Sequence, residues 1–149
     1  MSESTLKLLL ESKIEQEKNA RLELEAANIE LQNYYQQLEL IENYRLDYSR
    51  QLNQRGLQGL TANEYMHLQR FLVKMDETLL KQKSAEYIFK NKVNEKTNAW
   101  HEKRREKRSL EYLIEKKEKE RAKLAAHKEQ LLMDEFATLN YTRKKLRHK

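Results

Sequence analysis

Residues Gly56-Leu57-Gln58-Gly59-Leu60-Thr61 hold the only two glycines of a 149-residue chain that contains no proline. Glycine reverses a backbone without steric cost, and the sequence on both sides reads as helix, so the chain turns back here. Thr61-Ala62-Asn63-Glu64 follows at once with the spacing of a capping box. In such a box the Thr61 hydroxyl accepts from the Glu64 amide, and the Glu64 carboxylate accepts from the Thr61 amide. A helix stop followed directly by a helix start predicts a helical hairpin. The competing reading, a flexible kink in one continuous helix, requires neither the second glycine nor the cap.

The flanks support the same reading. Charged residues make up 36% of the chain and apolar residues 38%, too little apolar material for a three-dimensional core but enough for a seam between helices. Disorder is the alternative for so polar a chain; regular apolar spacing argues against it. From about Leu6 to Arg55, Leu10, Leu24, Leu31, Leu38 and Leu52 recur at one heptad position, a, with Glu17 and Arg45 as polar exceptions. Leu6, Lys13, Ala20, Ala27, Tyr34, Ile41 and Tyr48 stand at d. After the turn, Leu68, Met75, Gln82 and Phe89 lie at d, and Leu72, Leu79, Glu86, Val93 and Trp100 at a. The seam weakens at Lys103 and Lys107 and returns at Leu110, Ile114, Leu124 and Leu131. A repeat sustained over so many heptads specifies a coiled coil.

The expected architecture is therefore all-α. Helix 1 runs over about residues 5–55, the turn over 56–60, helix 2 over about 61–142, and a basic tail over 143–149. The second helix would reach on the order of 120 Å at 1.5 Å per residue. It outlasts the first, so everything after about Leu113 should overhang without a partner. The heptads leave two pairings open: a hairpin closed on itself, or an extended chain paired with a second copy.

Charge is unevenly divided. Residues 1–60 carry 7 Lys/Arg against 10 Asp/Glu, a balance of −3, and residues 61–149 carry 23 against 14, a balance of +9. Residues 101–123 hold ten Lys/Arg, but six glutamates are interleaved, as in the i, i+4 pairs of a solvated helix. No aromatic platform or zinc module accompanies them, so nucleic acid is not an expected partner. Cysteine is absent, which removes disulfides, thiolate nucleophiles and cysteine-bound zinc. The four histidines share no metal-ligand spacing, and Glu64-x-x-His67 occurs only once. With no Gly-rich phosphate loop either, no enzyme activity, metal or cofactor is expected. The start Met1-Ser2-Glu3-Ser4-Thr5 lacks a signal peptide's basic region, and Leu8-Leu9-Leu10 is far too short for a membrane span; a soluble, cytoplasmic protein is expected.

One departure from the heptad rule marks a surface. The g positions of a solvated pair should be charged, as Glu23 and Glu30 are, yet near the turn they become Gln37, Tyr44, Phe71, Thr78 and Ala85. The g flanks of antiparallel partners lie side by side. Gln37, Ile41, Tyr44 and Tyr48 therefore join Phe71, Met75, Thr78 and Gln82 in one stripe near the hairpin tip. Grouped aromatics suggest docking; a locally thickened seam is the alternative.

Taken with the hairpin and the overhang, the sequence resembles the FliJ family, small coiled-coil proteins of the bacterial flagellar type III export apparatus. The resemblance covers about Gln37 to Arg143. It is carried by Leu40-Ile41-x-x-Tyr44-x-x-x-Tyr48-x-x-x-Leu52-Asn53, Gly59-Leu60, Gln69-x-Phe71, Trp100-x-x-Lys103 and Met133-Asp134-Glu135-Phe136-Ala137. Met75, Thr78 and Gln82 stand where the family tends to have Leu, Ala and His. The resemblance implies a non-enzymatic stalk in the hexameric flagellar export ATPase, similar to the rotary ATPase gamma subunit. It also implies contact with the cytoplasmic domain of the membrane export gate, escort of export chaperones, and peripheral association with the inner membrane at the flagellar base. Gln37, Ile41, Tyr44, Tyr48, Phe71 and Met75 would meet the gate. Leu124, Leu131, Leu132, Asp134, Glu135 and Phe136 would meet the ATPase ring. The equivalent stalk of a virulence injectisome and a purely structural coiled-coil tether are the alternatives.

Overall fold

The computed structural model describes residues 2–147, and the chain is all-α with antiparallel pairing. Helix α1 spans Glu3–Gln58, α2 spans Ala62–Ser84 and α3 spans Glu86–Arg147. The tail expected over 143–149 continues α3 to Arg147, and its last two positions lie outside the described residues. Among the described residues no helix is long and apolar enough to cross a membrane.

Local chemistry sets the ends of these helices. Ser2 accepts from the Thr5 amide through its hydroxyl at 3.2 Å and so caps α1, satisfying an amide that has no partner inside the helix. Gly56 lies within α1, which continues to Gln58. Among the described residues only Gly59 takes a left-handed conformation, with φ of 95°, so the reversal is tighter than two glycines suggest. Thr61 then caps α2, its hydroxyl accepting from the Glu64 amide at 3.3 Å. The Glu64 carboxylate does not return the bond to the Thr61 amide, so half of the expected capping box forms.

The helices pack as two units. In the unit of residues 15–103, α1 lies antiparallel to α2 and the start of α3. Tyr48 meets Phe71, Arg45 pairs with Asp76, Lys92 reaches Glu30 at 2.9 Å and Lys96 reaches Glu23 at 3.1 Å. Ala27, Tyr34 and Leu79 are its buried apolar side chains. Both polar exceptions of the α1 seam have partners. Glu17, only 6% exposed, accepts from the Trp100 indole N–H at 3.0 Å, and Arg45 bonds Asp76. A polar residue that finds its partner in one alignment only fixes register more than it adds stability. The exposed Lys92 and Lys96 pairs act in the same sense, since solvent screens them.

The other unit joins residues up to Ile14 with those from Arg104 onward. Leu6 and Leu110 are buried there. Lys13 bonds Glu106 at 3.0 Å, and Arg121 reaches Glu3 at 2.7 Å. Pairing thus persists to Arg121, two turns beyond the Leu113 expected from the sequence. From Ala122 to Arg147 every side chain of α3 is exposed.

The longer second helix expected over about 61–142 is present, as α2 and α3 together, and it is bent. It breaks at Ala85, whose amide donates to the carbonyls of Lys81 at 3.2 Å and Gln82 at 3.1 Å. Two side chains enter the ladder here: the Ser84 hydroxyl donates to the Lys81 carbonyl at 2.7 Å, and the Tyr34 hydroxyl of α1 donates to the Gln82 carbonyl. In an unbroken helix that carbonyl accepts from the Glu86 amide. A side chain inserted into the ladder kinks a helix without proline or glycine.

Candidate functional site

Two surfaces carry the residues singled out by the sequence, one in each unit. In the unit of residues 15–103, α1 presents Gln37 and Tyr44 to solvent one heptad apart, while Ile41 and Tyr48 turn half inward. From α2, Met75 is half-buried and Phe71 stays 42% exposed. The Tyr48 and Phe71 rings meet at a centroid distance of 4.5 Å, tilted by 49°. The expected stripe therefore divides. Ile41, Tyr48, Met75 and Gln82 belong to the seam, and Gln37, Tyr44, Phe71 and Thr78 form its wet edge. The Phe71 ring of this edge is already held against Tyr48, so a partner that covers it orders little that is mobile.

The α2/α3 junction lies on the same pair of helices, and sequence reasoning missed it. Tyr34 stacks on Phe89 at 4.9 Å and 22°, and its neighbour Tyr35 donates to Glu86 Oε1 at 2.8 Å. Lys90 meets the same Glu86 oxygen at 2.9 Å. Lys90 first, then Tyr35, hold the Glu86 carboxyl below the usual carboxylate range. The bond to Glu86 pushes the Tyr35 phenol up. Burial, then the Glu86 charge, do the same to Tyr34. An ionised carboxylate held by two donors fixes geometry and is poorly suited to transfer protons. The signal in the sequence was Gln82 and Glu86, polar residues at successive seam positions, opposite an adjacent pair of tyrosines.

In the other unit, α3 exposes Leu124, Leu131, Leu132 and Phe136, the last two to 65% and 67%. Asp134 and Glu135 share this exposed segment. Gln130 donates to Asp134 Oδ1 at 3.3 Å, and the Thr138 hydroxyl donates to the Asp134 carbonyl at 2.8 Å. These bonds brace the helix locally and leave the apolar side chains uncovered. Among the described residues, no three His, Cys, Asp or Glu side chains group as a metal site requires.

The described residues form an all-α antiparallel coiled coil, with exposed apolar side chains in each of its two units. The family described as "Flagellar FliJ protein" matches residues 1–146, and the chain belongs to the FliJ family. No curated protein matches it. A solved structure described as a YscO homologue from Chlamydia trachomatis is similar to it at 19% identity and a TM-score of 0.44, covering 95% of this chain and 92% of that one.

Proposed function

We propose that the chain is the non-enzymatic stalk of the flagellar type III export ATPase. In this reading it links the hexameric ring to the cytoplasmic domain of the membrane export gate and escorts export chaperones from the cytoplasm to the inner membrane at the flagellar base. Family membership supports the export apparatus as its setting. The observation that carries the finer reading is the exposed α3 segment from Ala122 onward. Leu124, Leu131, Leu132 and Phe136 have no α1 partner among the described residues, and a water-exposed apolar stripe marks an interaction surface. Lys116, Lys117 and Lys119 precede it, and their positive charge would speed and orient its approach to an acidic pore lining. The Tyr44–Phe71 edge is the surface proposed for the gate.

Two variants test this assignment. Truncation after Ala126 should abolish stimulation of the ATPase while gate binding is retained. Tyr44→Ala with Phe71→Ala, both at exposed positions, should weaken gate binding at least about tenfold and leave ATPase binding and helicity nearly intact. Full stimulation by the truncated chain, with failure only in the tip variant, would show the opposite orientation.

A further inference from the structure

A third apolar surface belongs neither to the seam nor to the edge proposed for the gate. Met66, Val73 and Leu80 follow one another at intervals of seven along α2 and are exposed to 50%, 54% and 72%. The inward positions of α2 are Leu68, Leu72, Met75 and Leu79, so Met66 and Val73 lie off the seam, while Leu80 borders a groove that α1 lines with Glu42, Arg45 and Leu46. A separate groove of about 420 Å³ is lined by Met66, Gln69, Arg70, Val73, Lys74 and Glu77.

Spacing and charge together specify the occupant. A seven-residue interval matches the contact repeat of another helix packed at a shallow angle, whereas an extended strand would call for contacts two residues apart. The flank nearest solvent carries Arg70, Lys74 and Lys81 with Glu77 among them, all exposed, so three positive charges stand against one negative charge and the flank is net cationic. The opposite flank is already engaged with α1, through Asp76 to Arg45 and Lys83 to Glu42. Where this chain pairs with itself, lysines of α3 receive glutamates of α1, as in Lys92–Glu30 and Lys96–Glu23. The free cationic flank of α2 calls for the same complement from outside. Two α2 stripes meeting each other would set these cations against their own copies, which disfavours self-pairing.

We infer that the Met66–Val73–Leu80 face of α2 is a docking site for an amphipathic helix of another protein, apolar at heptad spacing and acidic along one flank. The complex would be a local three-helix bundle. The inference is independent of the stalk reading.

The test uses the full chain and three synthetic helices of about three heptads, with leucine at the seam and Glu, Gln or Lys on the flanks. Fluorescence anisotropy should rank the Glu peptide tightest and the Lys peptide weakest. Val73→Glu with Leu80→Glu, both at exposed positions, should leave helicity unchanged and weaken the Glu peptide at least about tenfold. Arg70→Glu, Lys74→Glu and Lys81→Glu together should reverse the ranking. Three results would overturn the inference: no binding, equal binding of the Glu and Lys peptides, or binding untouched by the Val73/Leu80 variant. A dimer of the purified chain that this variant dissociates would also overturn it, by showing that a second copy occupies the face.

Discussion

Replacing Tyr34 by Phe removes one oxygen atom and tests what breaks the second helix. The ring is 3% exposed and stacked on Phe89, so phenylalanine keeps its packing and loses only the donor to the Gln82 carbonyl. A net hydrogen bond contributes about 0.5–1.5 kcal/mol. The Gln82 carbonyl retains the Ala85 amide at 3.1 Å and is not orphaned, so the loss should fall near 1 kcal/mol. Freed of Tyr34, the carbonyl becomes available to the Glu86 amide four residues on, and the break should close toward a regular helix. Two measurements follow: urea denaturation monitored by circular dichroism, and hydrogen exchange at the Glu86 amide. The variant should unfold at modestly lower urea while the Glu86 amide exchanges more slowly, a local gain beside a global loss. An unchanged midpoint together with unchanged exchange would show that the hydroxyl does not hold the break.

The two glycines should respond in opposite directions to alanine. A Cβ on Gly56 meets nothing within 4 Å inside a helix, so Gly56→Ala should stabilise by about 0.5–1 kcal/mol; Gly59→Ala, at φ of 95°, should destabilise by about 1–2 kcal/mol, and thermal denaturation of the pair separates the two. The Glu3–Arg121 pair predicts acid fraying at the start of α1. Arg121, by hydrogen bond and by charge, lowers the Glu3 pKa from its ordinary value of 4.5, so the contribution is present above that value and is lost as pH falls through the depressed one. The protection of the first amides of α1, measured against their intrinsic exchange rate at each pH, should fall as pH drops through the depressed Glu3 pKa, and Glu3→Gln should remove that pH dependence.

The pairing seam was legible because it depends on period alone. Each residue placed at a or d of the first helix, from Leu6 to Leu52, is buried or half-buried, as are Leu68 to Trp100 in the second. What the period could not contain was anything set by a partner distant in sequence. The break at Ala85 has no proline or glycine to announce it: the Ser84 hydroxyl donates to the Lys81 carbonyl at 2.7 Å, and the Tyr34 hydroxyl, from 48 residues away, takes the Gln82 carbonyl. The onset of the unpaired α3 segment was placed about two turns early because a long side chain, Arg121, reaches back to Glu3 at 2.7 Å, and backbone register does not contain that reach. The division of the tip stripe into seam and wet edge was equally hidden. Whether Phe71 lies over Tyr48 or beside it depends on how the helices cross, which heptad positions do not specify.

The thinness of this interior has a mechanical consequence. Its buried apolar side chains, Leu6, Ala27, Tyr34, Leu79 and Leu110, are spaced along the helices, and none among the described residues is less than 2% exposed. Each layer is supported only by the layers next to it, as in other quasi-one-dimensional folds. Such a structure opens like a zipper, one layer at a time from a free end. Within each unit a pull along the helices would therefore meet a succession of small resistances, and the pair would peel apart over a few turns and re-close without passing through the unfolded state.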